Sequence, residues 1–157
     1  MSHPFFNTSL RRSGGQPRDL RARVDMEITE RLEEAVDFVC LDAMVQRRRA
    51  RQLPEPAADS TEDRDEFNGR VETFLDRLRR DVAPDAPPTI QRKVDETLER
   101  AGTERVRQLL AVQVVLAKEL PDYWARFDAI RLAYAAGAAD DESGSEGRGL
   151  LGRLFRR

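Results

Sequence analysis

The sequence predicts an all-α protein: an antiparallel bundle of three to four helices with flexible N- and C-terminal tails. Apolar residues recur every three or four positions through most of the chain, which is the period of one helix face. Prolines cluster between these segments, where they end helices. No segment alternates strictly between apolar and polar residues, as a half-buried strand would. We expect the helical bundle domain to span residues 18–137.

The first helix is predicted from Asp19 to about Arg51. Cations at Arg47–Arg49 complement the C-terminal end of the helix dipole, and Pro54 and Pro56 stop the helix. The residues predicted to form its core-facing stripe are Leu20, Val24, Ile28, Leu32, Ala35, Val36, Val39 and Ala43.

The second helix is predicted to begin at Ser60, which together with Asp63 has the spacing of a capping box. It is expected to end near Val82, because Pro84, Pro87 and Pro88 follow. Its predicted core stripe consists of Phe67, Val71, Phe74, Leu75, Leu78 and Val82.

A third helix is predicted to open at Thr89. Gly102 and Thr103 are compatible with a C-cap followed by a new N-cap, or with a kink in one long helix, and we favour the continuous helix. Residues 109–117 are apolar on nearly all sides, which places this part at the centre of the bundle. A final helix is expected from Pro121 to Gly137, since proline favours a first turn. Its aromatic-rich stripe is predicted to be core and comprises Tyr123, Trp124, Phe127, Ile130 and Tyr134.

The two ends of the chain differ in composition from the domain between them. Residues 1–17 are predicted to form a flexible tail, and residues 138–148 an acidic Gly/Ser linker. Residues 149–157 then form an amphipathic docking peptide, because a helix would separate its apolar residues from its arginines. The docking residues are Leu150, Leu151, Arg153, Leu154, Phe155, Arg156 and Arg157, and a second candidate docking segment contains Phe5, Phe6, Arg11 and Arg12.

The peptide Gly149–Arg157 resembles the C-terminal membrane-targeting helix of the Min-system ATPase that positions bacterial division. The two share the order of Gly, two large apolar residues, a basic residue, Leu-Phe and a terminal pair. The resemblance covers nine residues and none of the ATPase fold. It implies peripheral binding to an anionic leaflet.

The same peptide is similar in kind to the C-terminal Leu/Gly/Arg peptides of helical cargo proteins of bacterial protein shells. That resemblance implies docking to a shell protein, although the usual Gly-Ser-Leu ending is absent here. A third alternative is a C-terminal helix that folds back onto the bundle.

The sequence lacks the residues that most kinds of enzymatic catalysis require. His3 is the only histidine and lies in the predicted N-terminal tail, which disfavours His-dependent catalysis and His-ligated metals. Cys40 is the only cysteine, and its apolar neighbours predict a buried side chain. There is no P-loop and no Gly-rich dinucleotide turn. We therefore expect no enzymatic activity, no bound metal and no cofactor.

Two acidic elements are the exception. The first element lies on the first helix and consists of Glu33, Glu34 and Asp37. The second has the same spacing on the third helix and consists of Asp95, Glu96 and Glu99. This spacing resembles the Glu-Glu-x-x-Glu element of all-α nucleotide pyrophosphohydrolases, which implies Mg²⁺-dependent hydrolysis. In a chain with 36% charged residues, however, a solvated helix face is the expected explanation of both elements.

The sequence thus favours a non-enzymatic helical interaction or adaptor protein that is located by its C-terminal peptide. A net charge of −2, with acids and bases nearly balanced, argues against nucleic acid as a partner. A protein partner is expected, an anionic membrane surface is a candidate, and a homodimer is compatible with the composition. Without a signal-peptide core or a long apolar run, the expected location is cytoplasmic, with peripheral attachment at the inner face of the membrane.

Overall fold

A computed structural model describes residues 19–137 of this chain, which are helical apart from short connections. The helices are α1 (Leu20–Ala50), α2 (Thr61–Asp81), α3 (Pro88–Arg100) and α4 (Arg105–Glu119), followed by α5 at residues 123–137. The predicted all-α fold class is confirmed. The predicted number of three to four helices is not, because the described residues contain five.

The additional helix arises from a break at Gly102. Helix α3 ends at Arg100, Gly102 has a backbone φ of +80°, and α4 begins at Arg105. Glycine adopts this left-handed conformation at no steric cost and therefore ends helices readily. The prediction of one continuous helix through this position was wrong.

The predicted N-terminal cap of α2 is present, and the structure adds one at the start of α1. The Asp19 carboxylate accepts a hydrogen bond from the Arg21 backbone N–H at 3.1 Å, and the Ser60 hydroxyl accepts one from the Asp63 N–H at 3.3 Å. The Asp63 side chain, however, accepts from the Ala57 N–H at 2.8 Å and from Arg48 at 2.5 Å. It is therefore used to connect α2 to the preceding loop and to α1.

The position of α4 agrees with the prediction that the most apolar segment is central. It packs against α1, α2 and α3. The polar Gln113 lies in this segment and is fully buried, where its side-chain oxygen accepts a 2.7 Å hydrogen bond from the Tyr123 hydroxyl. Other buried residues of α4 are Leu109, Leu110, Val112, Val114 and Leu116.

The aromatic stripe of α5 completes this core, as predicted. Phe74 of α2 makes edge-on contacts with Phe127 and Tyr134, with ring centroids 5.8 and 5.0 Å apart. Tyr123 is fully buried, and Trp124 is half-buried. Since edge-to-face aromatic pairs add to the free energy gained from burial, these contacts join α5 firmly to α2.

The predicted core stripe of α1 is wrong at its beginning. Leu20 is 72% exposed and Val24 is 41% exposed, whereas the core residues of α1 begin at Leu32. The α4 helix ends at Glu119, where Lys118 forms a 2.8 Å ion pair with Asp25. The first turns of α1 therefore extend beyond the C-terminal end of α4, the helix that packs against α1 here.

We predict that Phe74→Ala lowers the free energy of unfolding by about 3–5 kcal/mol, because it leaves a cavity beside two aromatic rings. Equilibrium urea unfolding followed by circular dichroism measures the change. The control is Leu53→Ala, at a loop position that is 51% exposed, and it should change stability by less than about 1 kcal/mol. Equal effects of the two substitutions would contradict the described core.

Candidate interaction surfaces and charged sites

The predicted docking residues lie outside the described part of the chain. This applies to the C-terminal set (Leu150, Leu151, Arg153, Leu154, Phe155, Arg156 and Arg157) and to the N-terminal set (Phe5, Phe6, Arg11 and Arg12). Their roles remain predictions from the sequence. The structure instead reveals what the domain offers at residues 19–137.

The first acidic element does not lie on a solvated face, contrary to our expectation. Glu33 and Asp37 are 6% and 2% exposed, while Glu34 between them is exposed. Residues four apart share one helix face, and the adjacent position points elsewhere. The three carboxylates therefore do not converge, although Glu33 and Asp37 both interact with other residues.

The second acidic element is exposed at Asp95, Glu96 and Glu99, as expected of a solvated face. This second element lies on α3, and the first lies on α1. Helix α4 packs against both of these helices. Within residues 19–137 no group of three or more His, Cys, Asp or Glu side chains is arranged to hold a metal ion. The geometry of the described residues thus gives the pyrophosphohydrolase resemblance no support.

Cys40 is fully buried, as predicted. Burial raises the pKa of its thiol, and the negative charge of Asp37 raises it further, while Arg70 opposes this effect. A thiol with a raised pKa stays protonated and is a poor nucleophile. Cys40 is consequently a core side chain of α1 and not a reactive group.

The arginines at the end of α1 form a charged clamp with the beginning of α2. Arg48 contacts Asp63 at 2.5 Å and Glu66 at 3.2 Å, and Arg47 contacts Glu66 at 3.2 Å. The hydrogen bond from Arg48 and that from the Ala57 N–H lower the pKa of Asp63. These arginines therefore have a structural role at a helix end, which agrees with the prediction.

Two exposed apolar residues on neighbouring helices were missed by the sequence analysis. Phe38 of α1 is 58% exposed and Leu132 of α5 is 60% exposed. Each lies on the side of its helix opposite the core stripe. A helical-wheel plot would have marked both positions, but it could not have shown that α1 and α5 are neighbours.

The arrangement of α1 and α5 brings these two residues to the same level. The Arg31 guanidinium lies 3.7 Å from the centre of the Trp124 ring. About ten residues further along both helices, Cys40 of α1 lies close to Tyr134 of α5. Burial raises the pKa of the Tyr134 hydroxyl, and the nearby Cys40 thiol raises it further. The two helices therefore run side by side in the same direction. We call Phe38 and Leu132 together the outer apolar pair.

Comparison of the chain with protein families, curated proteins and solved structures found no match. Among residues 19–137, none of the helices is both long and apolar enough to cross a membrane.

We predict that Asp63→Asn destabilises the domain by about 1–3 kcal/mol at pH 7, because Arg48 and the Ala57 N–H lose a charged acceptor. The pKa of Asp63 is lowered in the folded state, so its stabilisation is present above the ordinary value of 3.8 and is lost as the pH falls through the lowered value. Urea unfolding of both proteins between pH 7 and pH 2 should show the difference shrinking below about pH 4.

The control for this experiment is Glu55→Gln. Glu55 pairs with Arg49 at 2.9 Å, but both side chains are more than 60% exposed. Exposed pairs contribute little, so the expected change is below about 1 kcal/mol. A difference between wild type and Asp63→Asn that stays constant down to pH 2 would contradict the assigned role of Asp63.

Proposed function

We propose that this protein is a non-enzymatic helical interaction protein that self-associates through its domain and docks to an anionic membrane surface through residues 149–157. The observation that supports it is the outer apolar pair. Phe38 and Leu132 are exposed at the same level of neighbouring helices, whereas 21 apolar residues of the same domain are buried. Large apolar side chains exposed on neighbouring helices favour a surface that binds other proteins.

The energetics of the C-terminal peptide favour a dimeric protein. Insertion of four apolar side chains contributes about 1–1.5 kcal/mol each, and each of three arginines near an anionic surface adds about 1 kcal/mol. Ordering nine residues into a helix costs about 1 kcal/mol or more per residue, which offsets much of this gain. One peptide therefore binds weakly and reversibly.

Two peptides held in one dimer bind much more strongly, because the second binds at a high effective concentration. This relation connects the two parts of the proposal. The outer apolar pair provides self-association, and self-association makes the docking peptide effective. A partner protein as the target of the peptide is the other outcome that the experiments distinguish.

Liposome co-sedimentation tests the membrane part. We expect the full chain to sediment with vesicles that contain anionic lipid and to remain in the supernatant with neutral vesicles. A chain truncated after residue 147 should remain in the supernatant with both. The full-length triple variant Arg153→Gln/Arg156→Gln/Arg157→Gln separates the charge contribution from the apolar one and should bind more weakly than the wild type. A full chain that stays in the supernatant with anionic vesicles would show that the membrane assignment is wrong.

Sedimentation velocity tests the domain part. We expect the wild type to form a dimer and Phe38→Ser/Leu132→Ser to raise the dimer dissociation constant about tenfold or more, because buried apolar side chains dominate interface energies. The control is Leu53→Ser, which changes a 51% exposed apolar residue of the loop after α1. A wild-type chain that is monomeric at every concentration, or a double variant that dimerises as well as the wild type, would overturn self-association through this surface.

A further inference from the structure

The structure contains a cleft between the end of α2, one side of α3 and α4. Its volume is about 580 Å³. Its apolar lining comes from the half-buried Leu98 and Ala83, with the core residues Val94 and Leu116 behind them. This volume lies within the range of about 300–1,000 Å³ typical of pockets for small ligands.

Arginines dominate the charge of this cleft. Arg79, Arg80 and Arg105 line it together with a single carboxylate, Asp95. Arg105 is engaged by Asp76 at 2.6 Å. Arg79 and Arg80 have no ion-pair or hydrogen-bond partner among residues 19–137, which distinguishes them from the paired arginines of the α1–α2 clamp.

The connection between α2 and α3 is fixed in shape at the edge of the cleft. The Gln91 amide donates a 3.0 Å hydrogen bond to the Ala86 carbonyl oxygen, and the Ala86 N–H donates one of 3.3 Å to that of Ala83. Arg126 of α5 donates to the Val82 carbonyl oxygen at 3.1 Å. A preformed cleft loses less conformational freedom when a ligand binds.

We propose that this cleft binds a small anionic amphiphile, a phosphate or carboxylate group carried on a short apolar chain. The guanidinium groups of Arg79 and Arg80 bind the anionic group, since their planar donors match its oxygens. The apolar chain lies against Leu98 and Ala83. This site is separate from the outer apolar pair and from residues 149–157, so its failure would leave the proposed function unaffected.

Isothermal titration calorimetry of the full chain tests this site with four probes: hexyl phosphate, hexanoate, inorganic phosphate and hexanol. We expect hexyl phosphate or hexanoate to bind at least about tenfold more tightly than inorganic phosphate, because each buried methylene adds about three- to fourfold in affinity. Both should also bind at least about tenfold more tightly than hexanol, which lacks the charge. The comparison of hexyl phosphate with hexanoate identifies the preferred anionic group.

The test variant is Arg79→Gln/Arg80→Gln, which should weaken binding of the preferred amphiphile about tenfold or more. The matched control is Arg92→Gln/Arg100→Gln, which removes the same charge from two exposed residues of α3 that do not line the cleft. The control should stay within about twofold of the wild type, since an effect of net charge alone would appear in both variants.

Four results would overturn the proposal: no binding of either amphiphile, equal binding of hexanol, equal binding of inorganic phosphate, or equal weakening by the two double variants. Circular dichroism melting of each variant shows that the fold is retained. Because Arg79 and Arg80 have no ionic partner among the described residues, their replacement should leave the melting temperature nearly unchanged.

Discussion

The packing of Phe74 against Phe127 and Tyr134 is the interaction on which the arrangement of the described domain depends. These contacts join α5 to α2, and the Tyr123 hydroxyl joins the beginning of α5 to Gln113 of α4. With its aromatic side turned inward in this way, α5 must turn its opposite side outward. The exposure of Leu132, and with it the outer apolar pair, follows from this constraint.

Charged residues in this domain serve different purposes according to their surroundings. Arg48 and Asp63 form part of a clamp that sets how α2 leaves the loop after α1, and the Ala57 N–H adds a third contact. By contrast, Arg79 and Arg80 lie at the end of α2 and form no ion pair or hydrogen bond with the described residues, although Asp95 lines the same cleft. Both groups occupy a helix C-terminus, where cations are favoured. Only the arginines of the clamp are paired with acids of the described residues, so the second group is the one that we propose for an anionic ligand.

The two acidic elements show how strongly identical spacing depends on context. Asp95, Glu96 and Glu99 lie on a peripheral helix and remain in solvent. Glu33 and Asp37 lie where α1 meets the core and are buried, and the charge of Asp37 acts on the neighbouring Cys40. Burial of a carboxylate is costly unless other groups compensate its charge, and both acids do interact with other residues. The sequence pattern alone could not separate the two cases.

The sequence by itself determined the all-α class, the Ser60 cap of α2, the core stripe of α2 and the burial of Cys40, because these depend on local periodicity and on neighbouring residues. It located Gly102 without showing that the helix breaks there, since a glycine within a helical pattern is compatible with either outcome. Only the tertiary structure decided that Leu20 and Val24 are exposed, that Glu33 and Asp37 are buried, and that Phe38 and Leu132 lie on adjacent helices. These properties depend on which helices pack against each other. That packing is set by contacts between segments that are distant in the chain.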